Sequence, residues 1–113
     1  MILLEGGGVR ERSDRREFLF PEYIRCASDV VEWYIDNIGM AEYTGSNWDA
    51  FEESLGEIAF SSKCNISILH REAINLSTSD LSTYIGIIRS LPEDAKKIEF
   101  VFSRELLSKI SDT

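Results

Sequence analysis

The sequence predicts an α/β fold, a small parallel sheet with helices packed over it. Short β-branched or aromatic runs at 18–20, 66–69 and 98–102 alternate with longer segments whose apolar residues repeat every three or four positions. The resulting order is strand, helix, helix, strand, helix, strand. Such an order needs crossover connections, which join parallel strands and lay helices over the sheet. At 113 residues, 43% hydrophobic and 11% aromatic, the chain suffices for one domain with a real core and not for two.

Residues 1–15 carry Gly6-Gly7-Gly8 and then alternating charges without apolar periodicity, which reads as a flexible leader or a weak extra strand. The domain proper spans 16–103. Phe18-Leu19-Phe20, closed by Pro21, has the pattern of a buried first strand. Ser28 is placed to cap a helix in which Val30, Val31, Tyr34, Ile35 and Ile38 share a face, and Gly39 to end it. After Gly45, Ser46 and Asp49 form a short capping box for a second helix, whose stripe is Trp48, Phe51, Leu55, Ile58 and Ala59. At ~100° per residue, Asp49, Glu53 and Glu57 fall on the other side, with Glu52 at the border.

Ile66, Ile68 and Leu69 suit a second strand ending near His70. Ser77 and Asp80 repeat the capping signal before Leu81, Tyr84, Ile85, Ile88 and Leu91, a helical stripe stopped by Pro92. Residues 98–102 are almost continuously apolar, as a strand covered on both faces would be. In the tail, 104–113, Leu106, Leu107 and Ile110 suit one more helical turn.

The charge is concentrated. Residues 26–62 contain Asp29, Glu32, Asp36, Glu42, Asp49, Glu52, Glu53 and Glu57 and no Lys or Arg. These eight acids equal the formal charge of −8, and elsewhere twelve acids balance twelve bases. A negative face of this kind attracts a positive partner and speeds encounter with it. It argues against direct nucleic-acid binding, which needs clustered Lys and Arg for the phosphates. No apolar run approaches the ~20 residues of a membrane span, and residues 1–4 are too short for a signal-peptide core. A cytoplasmic protein without membrane contact is expected. Cys26 and Cys64 lack CxxC spacing and read as reduced, partly buried thiols.

Enzyme chemistry finds little support. His70 is the sole histidine, has no Cys or Ser partner at a motif spacing, and reads as structural. Asp49, Glu52 and Glu53 would make a weak cation site without carbonyl ligands. Gly6-Gly7-Gly8 lacks the preceding strand and the lysine ending of a phosphate loop. Neither a cofactor nor a metal is implied.

The segment 40–55 reads Met-Ala-Glu-Tyr-Thr-Gly-Ser-Asn-Trp-Asp-Ala-Phe-Glu-Glu-Ser-Leu. Its Tyr-x-Gly-x-Asn-x-Asp-Ala-aromatic pattern at the mouth of an acidic helix resembles the barstar family, intracellular inhibitors of secreted bacterial ribonucleases. Ile24-Arg25-Cys26-Ala27-Ser28-Asp29 is similar to the family's approach to its first helix, and the likeness covers roughly 16–103. The resemblance implies a three-stranded parallel sheet and a second helix that plugs, with its preceding loop, into a nuclease active site. It implies that Tyr43 packs against the enzyme, Asn47 hydrogen-bonds at the helix mouth, and Asp49 pairs with basic groups near the catalytic centre. Glu53 takes the position of the family's central acid. Thr44, Glu52 and Gly56 depart from the family pattern, which has Tyr, Trp and Thr there. With Gly45 and Glu57, these residues form the candidate partner-binding surface.

The expected partner is a basic ribonuclease or related nuclease toxin, bound one to one. A binding module of the same fold for a basic protein that is no nuclease is the alternative. Trp48 and Phe51 belong to the core because they share the stripe of Leu55 and Ile58, Tyr43 suits packing or an interface, and Gly45 reads as a turn glycine set by backbone geometry.

Overall fold

A computed structural model describes residues 2–4, 15–42, 44–61, 65–71, 74–92, 94–95 and 97–111. The elements are β1 (Ile2–Leu4), β2 (Arg15–Leu19), α1 (Ala27–Asn37), α2 (Trp48–Ser61), β3 (Asn65–His70), α3 (Thr78–Arg89), β4 (Ile98–Phe102) and α4 (Arg104–Ser111). The sheet is parallel throughout, in the order β1-β4-β3-β2. The α/β class expected from the pattern is the class observed. The three strands expected lie side by side, and Ile2–Leu4 adds a fourth against β4, Ile2 opposite Phe100 and Leu4 opposite Phe102. A strand therefore does precede Gly6-Gly7-Gly8, although those glycines lie outside the described residues.

Two strands differ in environment because of their places in the sheet. β4 has a neighbour on each side and is buried at all five positions, Glu99 included, as its almost continuous apolar run indicated. β2 is an outer strand, so the expectation of a buried first strand fails. Arg16, Glu17 and Leu19 are exposed, Leu19 by 56%, and Phe18 is half-buried under the Arg16 guanidinium. Phe20, just past the strand, is the residue that reaches the core.

The core fills the side of the sheet presented by Ile66, Ile68 and His70 of β3 and by Ile98, Phe100 and Phe102 of β4. Val30, Val31, Trp33 and Tyr34 of α1, Phe51 and Leu55 of α2, and Leu81, Tyr84, Ile85 and Ile88 of α3 pack into it. On the opposite side Ser67 and Glu99 face each other in register, and the serine hydroxyl donates to Glu99 Oε1 at 3.3 Å.

Helix ends follow local chemistry. Ser77 caps α3, accepting from the Asp80 amide at 3.1 Å, as its spacing indicated. Gly39 follows α1 with φ +102°, a conformation that side chains disfavour, and its amide joins those of Ile38 and Met40 on the Tyr34 carbonyl. The N-cap of α1 is Cys26, not Ser28. The first turn is tied instead by Asp29, whose Oδ2 accepts from the Arg25 amide at 3.1 Å. Cys26 is exposed where a partly buried thiol was expected, and Cys64 lies outside the described residues. α4 runs for eight residues, longer than a single turn.

Three polar rings form a chain through this core. His70 Nδ1 donates to the Val101 carbonyl at 3.0 Å, which leaves Nε2 to accept from the Tyr84 hydroxyl at 2.6 Å. The Tyr84 oxygen in turn accepts from Tyr34 at 2.7 Å. His70 is sandwiched between Phe102 and Phe20, with centroids at 4.3 and 4.8 Å. Burial lowers its pKa from 6.5 to about 3, against hydrogen bonds to the Val101 and Ile68 backbone that raise it. Burial also raises both tyrosines, so all three rings stay neutral.

The unfolded chain takes up a proton at His70 near pH 6.5 that the folded chain refuses until about pH 3. This contribution to stability is intact above pH 6.5 and is lost as pH falls through that window, at up to about 1.4 kcal/mol per pH unit. Urea unfolding at successive pH values measures the slope, and a curve that stays flat below pH 6.5 would show that His70 is solvated or charged in the folded state.

Candidate functional site

Asn47 starts α2. Its Oδ1 accepts from the Ala50 amide at 2.8 Å and its carbonyl accepts from the Phe51 amide at 3.0 Å, which makes Asn47 the cap in place of Ser46. The side-chain oxygen is thereby engaged, and the amide nitrogen is what Asn47 has to offer an external acceptor. The loop before it is fastened at Thr44, whose hydroxyl lies 2.9 Å from Ser54 Oγ on α2 and whose amide donates to Ala41 at 3.0 Å. Tyr43 lies outside the described residues.

Gly45 is needed for space and not for a left-handed backbone, since Gly39 is the only described glycine with positive φ. A Cβ at Gly45 would sit 3.3 Å from the Ala50 Cβ. The glycine lets the loop lie against the first turn of the helix. Gly56 is the opposite case, because a Cβ there would meet nothing within 4 Å.

The inward side of α2 is locked. Phe51, Leu55 and Ala59 are buried, and Ile58 packs against the core. Trp48 is half-buried, edge-on to Phe51 at 5.8 Å and tilted against Tyr84 at 6.2 Å. Its indole N–H donates to Asp80 Oδ1 at 3.2 Å, so an acid in the first turn of α3 tethers the start of α2. Sequence spacing gives no signal for this contact, because the two residues are 32 positions apart.

The outward side carries the acids. Asp49, Glu52, Glu53 and Glu57 are all exposed, and among the described residues no ion pair or hydrogen bond engages their carboxylates. Asp49, Glu53 and Glu57 follow one another at four-residue spacing, so each lies about one turn, ~6 Å, beyond the last. Glu32 and Asp36 are likewise exposed on α1, and the 26–62 window contains no base to neutralise any of them. The structure thus brings Asn47, Asp49, Glu52, Glu53, Gly56 and Glu57 onto one ordered helix, with Thr44 and Gly45 beside its first turns.

Phe60 also belongs to the exposed side of α2, although the stripe of apolar residues gave no reason to single it out. Seven-residue spacing from Glu53 is the signal that places it there. Among the described residues, no helix is long and apolar enough to cross a membrane. No family model matches the chain, and no curated protein matches it.

Two substitutions test this local account by their effect on unfolding. Asn47→Ala removes the cap and is expected to cost about 1 kcal/mol. Gly56→Ala enters open space in a helix interior and is expected to stabilise by roughly 0.5–1 kcal/mol. Urea denaturation reads both. A destabilised Gly56→Ala protein would contradict the open space at that position.

Proposed function

We propose that this protein is a cytoplasmic immunity protein that binds the basic active site of a bacterial ribonuclease toxin, one to one, and occludes it. The contact is α2 with its preceding loop. One observation carries the reading: a helix fixed on its inner side presents four unengaged carboxylates on its outer side, inside a 37-residue window without Lys or Arg. The resemblance of residues 40–55 to the barstar family points the same way.

The physical case rests on what a ribonuclease must hold. A site for a phosphodiester is lined with cationic groups placed for phosphate oxygens. Carboxylates one helical turn apart on a rigid scaffold offer those groups a substitute, forming charge-assisted and often bidentate bonds to guanidinium. A helix already anchored by Trp48, Phe51 and Leu55 loses little freedom on binding. The roles are then as follows: Asp49 and Glu53 pair with the catalytic cations, Glu52 and Glu57 extend the field, and the Asn47 amide donates at the helix mouth. Thr44 and Gly45 shape the loop that carries Tyr43 to the enzyme, and Gly56 lets the enzyme approach the helix closely.

The experiment is inhibition of RNA cleavage by purified basic bacterial ribonuclease toxins. Wild-type protein is expected to neutralise its target at equal stoichiometry. The double substitution Asp49→Ala, Glu53→Ala is expected to lower affinity at least about a hundredfold, since each leaves a desolvated cation unpaired. Circular dichroism should show an unchanged fold. Full neutralisation by the double variant would remove α2 from the contact, and a captured basic partner with no effect on RNA would replace the nuclease by another class of protein.

A further inference from the structure

We propose, on the strength of the reading above, that Phe60 is an apolar anchor at the far end of the acidic face, so that the partner carries an apolar pocket beyond its cations. The ring is 48% exposed, and Phe60 is not among the residues that build or pad the core. Single exposed hydrophobics are ordinary on protein surfaces, so exposure alone decides nothing. Alignment does. At ~100° per residue, Phe60 falls within about 20° of both Asp49 and Glu53, in the middle of the carboxylate row and about 10 Å along the axis from Glu53.

Gly56 lies on the same line between them, and the space a side chain would fill there is empty. Along this line the outward face of α2 runs through Asp49 and Glu53, the bare position of Gly56 and the aromatic ring, with Glu52 and Glu57 to either side. Charge complementarity fixes the first half of the occupant as a basic protein surface, because residues 26–62 hold eight acids and no base. The second half follows from the ring: an exposed aromatic at the end of a row of carboxylates suits a partner that carries an apolar pocket next to its cations. Leu19 and Tyr23, the other large hydrophobics exposed among the described residues, sit on β2 and the loop after it, off this row.

The test uses two synthetic helical peptides of equal charge as probes. Each carries two arginines four residues apart. One has a leucine seven residues beyond the second arginine, and the other has serine there. Calorimetry is expected to show the leucine peptide binding about tenfold more tightly to the wild-type protein, the size of one partly buried apolar contact. Phe60→Ser should erase that preference and leave the serine peptide's affinity unchanged, and Phe60→Leu should keep it. Phe60→Leu should unfold close to the wild type, and Phe60→Ser, which gives up the covered half of the ring, should unfold somewhat earlier yet stay fully folded at the temperature of the calorimetry.

If the preference is absent, or survives Phe60→Ser, the anchor is wrong while the acidic face stands. If Asp49→Asn with Glu53→Gln leaves both peptides bound as before, or neither peptide binds the wild type, the acidic face and the anchor fall together.

Discussion

A phenol hydroxyl buried without partners destabilises a fold by roughly 1–3 kcal/mol, and this core holds two of them beside an imidazole. All three are satisfied by one directional chain from Tyr34 through Tyr84 and His70 to the Val101 carbonyl. Tyr34 belongs to α1, Tyr84 to α3, His70 to β3 and Val101 to β4, so the hydrogen bonds close only when two helices and two strands take one arrangement. Hydrophobic burial alone would tolerate several packings of this many aromatic rings. The chain of polar atoms selects one.

α2 is positioned by the same centre. Phe51 packs on both Tyr34 and Tyr84, Trp48 packs on Tyr84, and the indole reaches Asp80 one turn upstream on α3. The rotation of α2 about its axis is thereby set from inside, which determines which residues face water. The carboxylates at 49, 52, 53 and 57 are outside because the aromatic stripe is inside. Packing and the proposed recognition are two sides of one helix.

Much of this was legible in the sequence. The Ser77 cap, the Gly39 stop, the buried run of β4 and the division of α2 into apolar and acidic sides each depend on residues within a turn or two of one another, where periodicity and capping chemistry act. What escaped depends on longer range or on competition between equals. Ser46 and Asn47 are adjacent, and both are good caps, so only the turn geometry chooses Asn47. An apolar triplet at 18–20 reads as buried, yet a strand's place at the edge of a sheet is decided by the other strands. Gly45 is held by its closeness to Ala50, a steric fact of the folded loop. Asp80 carries a capping signal, and nothing local indicates that its carboxylate also receives an indole from another helix. The candidate site follows the same division: its acids could be placed by angle, whereas the Thr44 to Ser54 bridge could not.

The pairing of β1 with β4 joins Ile2 to Phe100, across nearly the whole described chain. Bringing such distant residues together demands the largest loop closure in the sheet, and the strand that does so is only three residues long. The remaining strands and the helices over them assemble from segments between 15 and 111, so β1 is the natural last piece to dock and the first to detach. Opening there would bare one edge of β4 while leaving α2 in place, so the sheet margin can come apart without disturbing the acidic helix.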